Sequence, residues 1–379
     1  FIGGCEQYIH NTVRLLQERG VRNTLLYDCN HPGFSTDFVA PFDGAFPLVD
    51  LDLQLPQIAP DVVYIHRLSS KAVITKLSLC GVPAVRFFHD YQIFCPREHR
   101  YSVIGLKTCK KPMGARCYFP CLGVINRSDR WPGLRLNRVG KLRSAIRANL
   151  NLDAYIVGSE YMADLIEMHG FDRSRIQVIP LYAPSASRPP AEVREESLFL
   201  FCGQLIRSKG LDTLLKAMAK VPETCKVAVA GQGRHETVFR NMAHELGLAN
   251  RVEFLGRLDQ EELTHWYARA TCVVVPSRYP ETFGLVGVEA MRHSTPVIAS
   301  AVGAMGEWLQ PGVTGLLVPP NNTGALAEAM TRILADPAEA VRMGQAGQER
   351  YQTSFVPGRH VSQLHSFLES VSAREHAHV

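Results

Sequence analysis

"TCVVVPSRYPETFGLVGVEAM", residues 271–291, decides the fold. An apolar run ends at Pro276-Ser277, crosses a second Pro and a Phe-Gly pair, and enters a helix-like stretch. Near-continuous apolar residues bounded by Gly and Pro indicate a strand covered on both faces, as in parallel α/β sheets. Glu281 precedes the helix and Glu289 lies inside it, seven residues intervening. A surface helix gathers its glutamates on one polar face, but Glu289 is surrounded by Leu285, Val286, Val288, Ala290 and Met291. Its carboxylate therefore needs a partner.

The same alternation extends in both directions. Before residue 180, "YIHNTVRLLQERG", a Leu-rich segment ending near Leu79, a basic segment and a segment ending at Gly170 have helical spacing. Between them, "RNTLLYDC", "DVVYIH", "PAVRFFHD" and "DAYIVGS" read as strands. "VIPLYAPSASRPPAEV" concentrates Pro, Ser and Ala and reads as a linker. After it the pattern restarts with "SLFLFCGQL", "CKVAVAGQG", "RVEFLG", "TCVVVPS", "TPVIAS" and "GLLVPP" as strands. The expected fold class is α/β, with two Rossmann-like doubly wound domains facing across a cleft. The expected boundaries are 1–184, with an insertion at 95–121; 185–355; and a C-terminal helix, 356–379, packing back on the first domain. Because the chain opens on Phe-Ile-Gly-Gly, a first strand is expected to be missing from the numbering.

With 379 residues, two cores are the default. An apolar fraction of 46% and a charged fraction of 20% are ordinary globular values. The longest apolar runs fall short of the roughly 18 to 20 residues that a spanning helix needs, and no secretory leader is visible. A formal charge of +5 argues weakly for anionic partners and identifies no nucleic acid. A cytoplasmic location is expected, peripheral to the inner membrane face if the basic segment docks there.

Ligands of doubly wound sheets sit outside the carboxyl ends of the strands, where His66, His89, Gly203 and Glu281 fall. A helix that begins at a Gly directly after a strand presents unpaired N–H groups and a positive dipole end to phosphate. Phe283, Gly284, Leu285 and Val286 would supply them. Glu281 has the chemistry to accept from sugar hydroxyls and Glu289 from a vicinal diol such as a ribose. The plainer reading is a dipole-complementing charge and one satisfied buried Glu.

"ETFGLVGVEA" after "VVVPS", "GQLIRSKG" upstream and "GVTGLLVPP" downstream resemble the retaining glycosyltransferases of family 4, which have the GT-B fold. "GGCEQYIHNTVRLLQERG", "FFHD" and "VGSEYMADLIEMHGF" resemble that family's N-terminal domain. The resemblance implies transfer of a sugar from a nucleotide-diphosphate sugar to a glycan or lipid-linked hydroxyl, with retention and no cofactor required for catalysis. By position it makes Glu281 a donor-sugar contact, Glu289 a ribose contact and Phe283-Gly284-Leu285 a diphosphate cradle. Lys209 becomes a diphosphate counter-ion and His89 a neighbour of the reacting centre. Gly3 and Gly4 would approach the donor phosphates, and Gly231 and Gly233 would turn beside the nucleotide. Where the family has Arg after the Gly of its "GxL" turn, this chain has Gln204, with Arg207 as a candidate replacement for the charge. Leu181-Tyr182 stands where the family has Asn-Gly, so a changed hinge is expected. The competing readings are a nucleotide-sugar epimerase or hydrolase, which turns over donor alone, and a non-catalytic nucleotide-binding module.

Three further features carry alternatives. Cys95, Cys109, Cys117 and Cys121 suit a structural zinc or iron-sulfur cluster that orders a long irregular insertion, against free thiols or a Cys117–Cys121 bridge. The segment 127–150 is basic, with Leu136, Val139, Leu142, Ile146 and Leu150 at helical spacing. It suits either docking on an anionic membrane or packing its stripe on the sheet. Asp50-Leu51-Asp52 matches the DxD pattern of metal-dependent sugar transferases but lies in a Pro-rich loop, where coincidence is the better reading.

Overall fold

The computed structural model describes residues 4–28, 36–102, 107–127, 134–184 and 194–376. Gly3, Cys29, Trp131 and most of the 178–193 linker lie outside them. The contacts divide the chain into two units. One comprises Phe1–Gly105, Cys109–Pro180 and Pro357–Val379; the other comprises Leu106–Thr108 and Leu181–Val356.

The second unit is built on six parallel strands, in spatial order Val252–Gly256, Lys226–Ala230, Leu198–Cys202, Cys272–Val275, Val297–Ser300 and Gly315–Val318. Counted along the chain this is the order 3-2-1-4-5-6 of the Rossmann fold. Alternation across the pleat explains the continuous apolar runs. Phe199, Phe201, Val227, Val229 and Val274 enter one buried cluster, while Leu198, Leu200, Ala228, Ala230 and Val275 enter another. Helices cover both clusters, so no strand face is left polar. The chain order reverses between Leu198–Cys202 and Cys272–Val275. The loops leaving those two strands therefore splay apart and open a crevice at their carboxyl ends.

The first unit has four parallel strands in the order Ile176–Val178, Ala154–Val157, Ala84–Phe88 and Val63–His66. A separate parallel pair joins Thr24–Tyr27 to Gly44–Pro47. Two hydrogen bonds hold the charge in the central strand: buried Arg86 donates from Nη1 to Asn149 Oδ1 at 2.5 Å and from Nη2 to the Leu68 carbonyl at 2.8 Å, while its buried Nε finds no partner among the described residues. The C-terminal helix Pro357–His376 belongs to this unit and buries Val361, Leu364, Leu368 and Val371, the i, i+3, i+7 stripe of a packed helix. His360 anchors its start: Nδ1 donates to the Pro180 carbonyl at 2.7 Å, leaving Nε2 to accept the Tyr8 hydroxyl at 2.9 Å.

Asp50 and Asp52 have a local role. Residues 50–58 form no loop, because Asp50 caps the helix Leu51–Ile58 by accepting the Asp52 N–H at 3.0 Å. Lys76 Nζ pairs with Asp52 at 2.5 Å and with Asp50 at 3.8 Å.

Candidate functional site

The carboxyl ends of Leu198–Cys202 and Cys272–Val275 carry the densest chemistry of the second unit. Lys209, closing the 3-10 turn Arg207–Lys209, places Nζ 2.7 Å from Glu281 Oε1. The Ser277 hydroxyl donates to the same oxygen at 2.6 Å. Burial pushes the Glu281 carboxyl up, but the charge and hydrogen bond of Lys209, with Ser277, outweigh it and hold the net value below the ordinary one. The backbone is pinned as well: the Glu281 carbonyl accepts the Ala304 N–H at 3.0 Å, and a side chain on Gly303 would lie 2.1 Å from that carbonyl. Arg278 ties the loop to the 3-10 turn by pairing with Asp212 and by donating its N–H to the Ser208 carbonyl at 2.8 Å.

Glu289, on the helix Leu285–Arg292, has its partner in Tyr267, whose hydroxyl donates to Oε2 at 2.7 Å. Burial raises the Glu289 carboxyl, an effect only partly offset by Tyr267 and by the charge of Arg292. Cys202 ends the first strand beside them and shares a hydrogen bond with Tyr267; burial, then Glu289, push its thiol to about 12. Cys202, Tyr267 and Glu289 thus form one connected polar cluster inside an apolar wall. Sequence reasoning singled out neither Tyr267 nor Ser277. The first lies in the helix Gln260–Arg269, outside every motif read along the chain, and the second in the run "VVVPS", where a small hydroxyl carries no charge signal.

The glycines separate into two groups. Gly284, at φ +96, caps the helix, and a Cβ there would meet Met305 Sδ at 2.8 Å and Trp308 Nε1 at 3.3 Å. Trp308 Nε1 donates to the Phe283 carbonyl at 2.7 Å, so the helix Met305–Trp308 braces the turn from behind while buried Phe283 anchors it in the core. Leu285 and Val286 follow half-buried in the first turn. Gly203, at φ +151, has nothing within 4 Å of where its Cβ would be. Gly231 and Gly233 lie where neighbouring backbone comes close. A Cβ on Gly231 would stand 1.9 Å from the Gly203 carbonyl, and one on Gly233 would stand 2.6 Å from that of Leu205. These two glycines let one loop backbone lie on the next, and they hold the Gly203 loop in place. Gln204 and Arg207 are both exposed.

In the first unit, His89 Nε2 lies 2.8 Å from His66 Nδ1, one imidazole donating to the other. Burial, reinforced by Arg86, lowers His66 to about 3; burial, His66, Arg67 and Arg86 place His89 well below its ordinary value. Both rings are therefore neutral at physiological pH. Tyr8 packs on the pair at 6.1 and 5.3 Å between ring centres, and Phe87 stacks on His89 at 4.1 Å. Gly4 begins the helix Gly4–Gln17, with open space where a side chain would be.

The metal expectation does not fit. Among the described residues no group of three or more His, Cys, Asp or Glu side chains is arranged to hold an ion. Cys95, Cys109, Cys117 and Cys121 are all free thiols, so the alternative Cys117–Cys121 bridge is absent too. They lie close enough that the other three help burial to raise the Cys117 thiol.

A model described as "Glycosyltransferase Family 4" matches residues 2–181, and one described as "Glycosyl transferases group 1" matches residues 185–350. The chain belongs to the family 4 glycosyltransferases. An uncharacterized glycosyltransferase of Methanocaldococcus jannaschii is 37% identical over 144 residues, covering 38% of this chain and 37% of the relative. The D-inositol 3-phosphate glycosyltransferase of Corynebacterium glutamicum is 34% identical over 248 residues, 59% of each chain. This chain thus spans between a third and three fifths of the curated relatives it matches. Among solved structures, Anabaena HepE in complex with UDP superposes with a TM-score of 0.71 at 17% identity, over 98% of this chain and 97% of that one. The sucrose-phosphate synthase of Thermosynechococcus elongatus gives 0.67 at 24% identity, over 98% and 94%. Together with the doubly wound six-stranded sheet of the second unit and the four-stranded parallel sheet of the first, these likenesses show the GT-B fold.

Proposed function

We propose that this protein transfers a sugar from a nucleoside-diphosphate sugar to the hydroxyl of a saccharide or lipid-linked acceptor, with retention of anomeric configuration. The observation that carries this reading is the Lys209–Glu281–Ser277 cluster at the switch point of the second sheet, beside the open face of Gly203. Lys209 has three N–H donors and gives one to Glu281, so others are available to a diphosphate. The turn at Gly284 adds N–H groups and the positive helix end. Glu281, ionised and held from both sides, accepts from the hydroxyls of the donor sugar, and Glu289 accepts from the ribose. HepE is described in complex with UDP and glucose, which supports a nucleotide-sugar donor here.

Chemistry follows from that placement. The bond from the anomeric carbon to the diphosphate oxygen breaks as the acceptor oxygen bonds to the same face. The acceptor proton passes to the departing diphosphate. Lys209 and the helix start stabilise the charge that grows on the leaving group, where fixed donors lower a barrier most. His89 acts as a neutral ring oriented by His66.

Thermal unfolding with UDP, GDP, ADP and TDP, followed by turnover of the matching sugar donors, tests the reading. A midpoint rise with one nucleotide, lost in Glu289→Ala, and acceptor-dependent release of that nucleotide are the expected results. No rise with any of the four would overturn the donor site. Equal turnover without an acceptor would favour the epimerase or hydrolase reading.

A further inference from the structure

Residues 97–147 contain 13 Lys or Arg against two acids, Glu98 and Asp129, in a chain whose total charge is only +5. The remainder of the molecule is therefore net acidic, and the positive charge is concentrated in one segment that, apart from Leu106–Thr108, belongs to the first unit. Most of the apolar stripe that the sequence offers to a membrane is not available, because Val139 and Ile146 of the helix Val139–Asn149 are buried in the core and Leu142 and Leu150 pack against it, which leaves Leu136 exposed. Other apolar side chains are exposed beside that charge. Tyr118 is 50% exposed, Phe119 77% and Leu136 72%, with Leu122 and Ile125 partly exposed.

Backbone contacts join these residues into a continuous stretch of structure. The Phe119 N–H reaches the Ala115 carbonyl at 3.3 Å, Cys121 N–H that of Arg116 at 3.1 Å and Ile125 N–H that of Leu122 at 3.1 Å. Ile125 pairs across the antiparallel ladder with Leu136, and the Asn137 N–H bonds to the Val124 carbonyl at 2.8 Å. Arg143 Nη2 lies 3.3 Å from where a side chain on Gly114 would begin, which brings the charged side of the helix to the same loop. Arg116, Arg138, Lys141 and Arg143 are exposed around it.

We infer that the aromatic turn at Tyr118-Phe119, with Leu122, Ile125 and Leu136, inserts into an anionic lipid surface while the surrounding Arg and Lys side chains bind its headgroups. Charge complementarity selects this occupant: a neutral or basic partner gains nothing from four exposed cations, whereas an anionic bilayer attracts each of them and accepts aromatic rings at its interface. The inference does not depend on the chain transferring a sugar.

Co-sedimentation of the full chain with phosphatidylcholine vesicles, with and without 30 mol% phosphatidylglycerol (about a third, chosen to give a strong surface potential), tests it. At low salt the bound fraction should be at least ~10-fold larger on the anionic vesicles and should collapse at roughly 0.5 M salt. Tyr118→Ser with Phe119→Ser should lower it about fivefold, and Lys141→Glu with Arg143→Glu about tenfold, both without change in Tm or in far-ultraviolet circular dichroism. Leu79→Ser, which removes an exposed apolar side chain elsewhere in the same unit, should leave it unchanged. Equal binding to neutral vesicles, no binding to either, or insensitivity to the Tyr118 and Phe119 changes would overturn the inference. So would a chain dimer that dissociates in the Phe119→Ser variant, because a second copy would then be the occupant.

Discussion

Lys209 Nζ stands 2.7 Å from Glu281 Oε1, and the Ser277 hydroxyl donates to that same oxygen at 2.6 Å. The ion pair holds the carboxyl below its ordinary value where burial alone would raise it. It also holds a lysine at the end of a strand, at the switch point of the sheet.

Lys209→Met removes the counter-charge. Loss of one fixed donor to a developing oxyanion costs about 10²- to 10³-fold in kcat, so a loss of that order is expected, with partial recovery in Lys209→Arg. The sign of the pH effect follows from Glu281. Its folded value lies below the reference 4.5, so its contribution to stability is present above that reference and lost as pH falls through the folded value. In Lys209→Met the burial effect is left opposed by Ser277 alone, so the acid limbs of stability and activity should both move to higher pH. Acid unfolding followed by circular dichroism, with a pH–rate profile, checks this; an unmoved limb would show that the pair is not what holds Glu281 ionised.

Glu289→Gln should separate stability from binding. The folded carboxyl value is raised, so ionisation of Glu289 lowers stability as pH rises through that value, and the charge is a standing cost at neutral pH. Gln keeps an acceptor for the Tyr267 hydroxyl and removes the charge. The variant should melt higher than wild type at pH 7.5 without ligand, yet gain less from the nucleotide that stabilises wild type. Two thermal scans decide it, and a lower apo midpoint would refute the argument.

His66, His89 and His360 should stay neutral in the folded state down to mildly acidic pH. Burial holds His66 at about 3 and His360 at about 4, with His89 well below its reference. Each takes up a proton on unfolding below its reference of 6.5, so the stability they contribute is present above pH 6.5 and lost as pH falls towards the folded values. Each such proton adds a slope of about 1.4 kcal/mol per pH unit. Chemical denaturation between pH 7 and 5 should therefore show falling stability, with a shallower slope in His66→Gln/His89→Gln. Imidazole resonances that titrate near pH 6.5 in the folded protein would contradict the burial argument.

The glycine loops predict opposite outcomes for one kind of substitution. Gly231→Ala drives a methyl group to 1.9 Å from a backbone carbonyl at φ +136, so it should destabilise by about 3 kcal/mol or more, strain and clash acting together. Gly203→Ala meets open space and bears only its backbone strain of about 1–3 kcal/mol. It should fold, with nucleotide affinity reduced at least tenfold if a diphosphate approaches that face. Urea melts and nucleotide titration of both variants check this.

Much of the architecture was legible along the chain because parallel strands buried on both faces must be apolar at nearly every buried position. "LFLFC", "KVAVA" and "CVVV" therefore announce themselves, and Gly and Pro mark where they end. The placement of Glu281 and Glu289 on either side of a Gly-initiated helix was legible for the same reason, since strand, loop and helix are contiguous. What partners those carboxylates depends on strand order, which brings residues 72 and 22 positions away beside them. No local pattern encodes that order. Only the tertiary structure decided that Tyr267 answers Glu289, that Lys209 and Ser277 share one oxygen of Glu281, and that His66 meets His89. It also decided that the stripe at 139–148 packs inward while Phe119 faces solvent: a helical period shows that one face must be buried, and only packing shows against what.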